Sequence, residues 1–129
     1  MKAYMSAYDI RAILKAEIAP YIHNPYVLVG FGNGGFWEGI SLCGTKAALA
    51  RALALLANHK RLQKLILIAP CEDILESLED IAFLCACGVS IDIYIGSKDN
   101  HAQAIIESLR PFAVLRYYKD VAFMDKSAF

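Results

Sequence analysis

Leu65-Ile66-Leu67-Ile68-Ala69-Pro70 and Val89-Ser90-Ile91-Asp92-Ile93-Tyr94-Ile95 bracket the segment Glu72 to Cys87, and the reading of these three pieces decides the fold. The first is a continuous apolar run of strand length closed by a proline, which predicts a strand buried on both faces. Glu72 to Cys87 reads as a helix with acids at its positive end, and Gly88 sits where a helix stops. Val89 to Ile95 then reads as the next strand. Two strands separated by a helix of this length cannot be hairpin partners, so the connection is a right-handed parallel crossover.

The same alternation extends in both directions. Downstream, Asp99 to Arg110 predicts a last helix ended by Pro111, and Ala113 to Tyr118 a further strand. Upstream, the run Ala47 to Ala57, entered from Thr45, is a strong helix former that Asn58 can close. Tyr26-Val27-Leu28-Val29 reads as the first strand. Ser6-Ala7-Tyr8-Asp9 has the form of a capping box, and Ile10, Ile13, Leu14 and Ile18 recur at helical spacing until Pro20. The order predicts one α/β domain over residues 1–129, a three-layer α/β/α sandwich with a mostly parallel sheet of four or five strands. Phe36 to Gly44 reads equally as a strand extension or a helix start.

Composition narrows the function classes. The 129 residues suit one domain, and 57% of them are apolar, which fits a sheet covered on both faces or a subunit that self-associates. Thirteen basic residues balance thirteen acidic ones, so no global field draws in nucleic acid or an anionic membrane. The longest apolar stretches, Leu65 to Pro70 and Ile81 to Cys87, are far shorter than the roughly 20 residues of a membrane span. No apolar run of signal-peptide length follows Met1-Lys2-Ala3-Tyr4, so the expected location is cytoplasmic. Cys43, Cys71, Cys85 and Cys87 lie in apolar or helical surroundings, the Cys-x-Cys at 85 and 87 lacks the spacing of a zinc knuckle, and the four read as reduced core thiols. The reading calls for no metal and no cofactor.

Ligands of a parallel sheet bind beyond the carboxyl ends of its strands. That edge should collect the cluster Gly30-Phe31-Gly32-Asn33-Gly34-Gly35, then Glu72 and Asp73, then Asp99 and His101, then Lys119-Asp120. His23 and His59 precede strands and fall on the opposite edge, which leaves His101 as the one histidine placed to act. Each of these residues also has a plain structural reading. Glu72 and Asp73 complement a helix N-terminus, Asp99 can be an N-cap, and Asn33 can be a turn residue.

Taken together, the pieces resemble a shortened α/β-hydrolase. Asp9 to Leu14 followed by Asn24 to Gly35 resembles the helix and strand that lead to that family's G-x-S-x-G-G elbow. Arg61 to Pro70 resembles the strand after it, and Ile93-Tyr94-Ile95-Gly96-Ser97-Lys98-Asp99 the strand that ends in the triad acid. Gly32 stands where the nucleophilic serine would, and Val121-Ala122-Phe123-Met124 where the histidine would. A second elbow can be read at Gly39-Ile40-Ser41-Leu42-Cys43-Gly44, whose Ser-x-x-Gly-x-Lys-Ala run resembles the esterases that cleave pimeloyl thioester methyl esters. The resemblance implies a serine carboxylesterase on small acyl esters, with Ser41 as nucleophile, Asp99 as acid and His101 as base. The N–H groups of the Gly30 to Gly35 loop would offer the oxyanion hole.

Other readings compete. Gly30, Gly32 and Gly35 satisfy G-x-G-x-x-G, the fingerprint that seats a pyrophosphate on a helix N-terminus, and in this the chain resembles small nucleotide-sensing domains attached to potassium transport. The acid expected about 20 residues later is missing, since Glu72 is the first candidate. Leu65 to Ile95 also looks like part of a phospholipase D-type domain, whose chemistry needs H-x-K, and no H-x-K occurs. The remaining alternative is a non-catalytic, Rossmann-like module that binds a nucleotide or a partner through Gly30, Gly32, Asn33, Gly34 and Gly35, with Glu72 and Asp73 beside them.

Overall fold

The structure, a computed structural model, describes residues 16, 24, 26–31, 35–37, 45–58, 61–96 and 100–118. Its elements are β1 (Val27–Phe31), β2 (Gly35–Trp37), α1 (Thr45–Ala57), β3 (Lys64–Pro70), α2 (Cys71–Leu75), α3 (Leu78–Ala86), β4 (Ser90–Gly96), α4 (Asn100–Ile106) and β5 (Val114–Tyr118). A 3-10 turn, Glu107–Leu109, continues α4. The strands form one sheet in the order β2-β1-β3-β4-β5. Among the described strands only β2 runs antiparallel to its neighbour. The fold is therefore the expected α/β class with a mostly parallel sheet.

Register follows from the alternation of side chains along each strand. Leu28, Leu65 and Ile91 stand level across β1, β3 and β4, as do Gly30, Leu67, Ile93 and Leu115 across four strands. This face carries the main core, where Leu65, Leu67, Ile91 and Ile93 gather with Ala48, Leu49 and Ala52 of α1, Ile74 of α2, Ile81 and Leu84 of α3, and Ile106 of α4. The opposite face is buried too: Val29, Ile66, Ile68 and Tyr94 are each no more than 2% exposed. Burial on both sides is what the unbroken apolar runs of β3 and β4 demand.

Helix ends follow local chemistry. Asn58 closes α1 by donating both its backbone N–H and its Nδ2 to the carbonyl of Ala54, at 3.1 and 2.9 Å. At the end of α3, Gly88 takes φ +91°. The Gly88 N–H donates to the Cys85 carbonyl at 2.9 Å and the Val89 N–H to the Leu84 carbonyl at 3.1 Å, the paired bonds of a Schellman stop. The segment expected as one helix, Glu72 to Cys87, is two. Ser77 is buried and its Oγ donates back to the Asp73 carbonyl at 2.9 Å, and Ser77 itself leaves helical geometry at φ −122°. A serine bonding back four residues competes with the helical ladder, and here the ladder yields. The first expected helix lies outside the described residues except for Ala16, which is helical.

Candidate functional site

The carboxyl edge of the parallel strands is marked by Phe31, Pro70, Gly96 and Tyr118. Glu72 and Asp73 lie in the first turn of α2, immediately beyond β3. His101 is the second residue of α4, beyond β4, and is exposed. Glu72 is exposed and Asp73 half-buried. Helices α2 and α4 pack on one another, so two carboxylates and an imidazole belong to adjoining connections on one edge. The expected edge residues Ser41, Asp99, Gly32, Asn33, Gly34, Lys119 and Asp120 lie outside the described residues.

The glycine cluster has a different setting from the one its pattern suggests. Phe31 pairs with Gly35, Gly30 with Phe36 and Val29 with Trp37, all antiparallel. The chain thus reverses between Phe31 and Gly35, and Gly35 opens a strand. A dinucleotide fingerprint needs its third glycine at the start of a helix. Gly35 opens β2 and not a helix, and the next described helix, α1, starts at Thr45. Gly30 also has a packing reason to be glycine. A Cβ built there would stand 2.6 Å from the Ala48 Cβ and 3.2 Å from Leu67 Cδ2, so the missing side chain is what lets α1 approach the sheet. The strand of residues 36 and 37 also resolves part of the ambiguity in Phe36 to Gly44.

Strand order bears on the site as well. In doubly wound sheets the ligand crevice opens where the strand order reverses. Here β1, β3, β4 and β5 follow one another in a single direction, and right-handed crossovers then put the intervening helices on one face. Contacts of α1 with α2 and α3, and of α2 with α4, agree with a single helical layer on that face. No reversal occurs among the described parallel strands. The nearest described strand before Ser41 is β2, which pairs antiparallel with β1 at the margin of the described sheet, whereas a nucleophile elbow joins a strand sharply to a helix at the top of the sheet.

Two polar features escape a linear reading. On the sheet face opposite α1 to α4, Lys64 Nζ lies 2.9 Å from Asp92 Oδ2, Arg116 Nη1 lies 3.9 Å from the same oxygen, and the Arg116 guanidinium sits 5.2 Å from the Tyr94 ring centroid. The three charges come from three strands, and only the register Ile66–Asp92–Val114 brings them together. The period-two alternation in β4 places Asp92 on that face, but the partners depend on strand order. In the helical layer, Gln103 is 5% exposed and its Nε2 has no hydrogen-bond partner among the described residues. Of the cysteines expected in the core, Cys71 is buried, Cys85 half-buried and Cys87 exposed at the end of α3. The expectation fails at Cys87, the C-cap of α3, which lies in the exposed stretch Ala86 to Gly88. Cys43 lies outside the described residues.

No helix among the described residues is long and apolar enough to cross a membrane. Compared with protein-family models, with curated proteins and with solved structures, the chain matches none of them.

Proposed function

We propose that this chain is a non-catalytic α/β module that binds a small ligand at the carboxyl edge of its parallel sheet. The observation that carries the reading is the packing of α2, which bears Glu72 and Asp73 in its first turn, on α4, which bears His101, at that edge. Two carboxylates there disfavour a phosphate group and favour a ligand that offers hydroxyl or amino donors, while the imidazole supplies either a donor or an acceptor. Gly30 is occupied by packing against Ala48, so the reading rests on the α2 and α4 connections. The experiment is a thermal-shift screen of the protein against adenosine, adenosine diphosphate, spermidine and short-chain acyl esters, beside a Glu72→Ala/His101→Ala variant. The reading expects a rise in Tm with adenosine or spermidine that the variant loses. No rise with any of the four, or a rise the variant keeps, would overturn it.

A second reading, a divergent α/β-hydrolase acting as a serine carboxylesterase, is favoured by the exposed position of His101 in the first turn of α4, the helix that follows β4. In it, Ser41 Oγ attacks the ester carbonyl and passes its proton to His101, which returns it to the leaving alkoxide while Asp99 holds the imidazolium. Water then releases the acyl group by the same route. Hydrolysis of a p-nitrophenyl ester, lost in Ser41→Ala together with fluorophosphonate labelling, would put this reading ahead of the first. Inertness of the unmodified chain to both reagents would end it.

A further inference from the structure

We draw no further inference here: the strongest candidate, the buried Gln103 amide of α4 whose Nε2 has no hydrogen-bond partner, is a single donor packed within the helical layer, and no second observation among the described residues points to a ligand that would meet it.

Discussion

At the level of single residues, Gly30 shows how a motif can be visible and its cause hidden. The glycines stand out in the sequence, and their pattern fits a phosphate loop. The steric cause, an Ala48 Cβ that leaves no room for another carbon, depends on which helix returns over the strand. Gly30→Ala should therefore overpack the α1 interface and lower stability by about 1–3 kcal/mol in urea unfolding. Pairing it with Ala48→Gly removes the clash but adds a helix-interior glycine that costs about 1 kcal/mol. The cycle should show a favourable coupling between the two positions, and additive losses would rule out the packing account. Gln103 makes the complementary case. A buried donor without an acceptor costs about 1–3 kcal/mol, so Gln103→Met should leave stability unchanged or raise it. A clear loss in the same unfolding experiment would mean that the amide has a structural partner in solution.

At the level of elements, the sequence was most readable where one residue has one physical reason to be present. Gly88 is such a position: the helix stop was legible, and the structure supplies its φ of +91° and both Schellman bonds. A Cβ there would meet nothing within 4 Å, so Gly88→Ala isolates the backbone term and should cost about 1–2 kcal/mol. A thermal melt with unchanged Tm would show that the left-handed conformation is not held in solution. The break at Ser77 was not legible, because Glu72 to Cys87 contains no glycine or proline and a serine bonding back to Asp73 looks like any helical serine. Gly35 to Trp37 was equally opaque. Three residues are too few for a period, and only pairing with β1 identifies them as a strand.

For the whole molecule, the alternation of apolar runs and helices was enough to predict parallel crossovers, and hence the class of fold. It could not reveal the direction in which successive strands are laid down, since a crossover to the left or right neighbour needs the same local sequence. That direction decides whether the sheet has a reversal, and β1, β3, β4 and β5 have none. It also creates the Lys64–Asp92–Arg116 cluster, assembled from three strands on the face away from the described helices. Asp92 is 14% exposed and lies 2.9 Å from Lys64 Nζ and 3.9 Å from Arg116 Nη1, so Asp92→Asn removes a charge that attracts both cations. The expected loss is about 1–3 kcal/mol and shrinks with added salt. A loss independent of salt would assign Asp92 a hydrogen-bonding role instead.

Function is where the whole molecule must be judged, because the proposed site exists only through the assembly of two connections. The most direct test is an amide NMR titration of the full chain with adenosine and with spermidine. The account predicts concentration-dependent shifts at Glu72, Asp73 and His101, with Gln63, Ser90 and Ala113 at the amino edge unmoved. Shifts confined to the amino edge, or none at millimolar ligand, would contradict it.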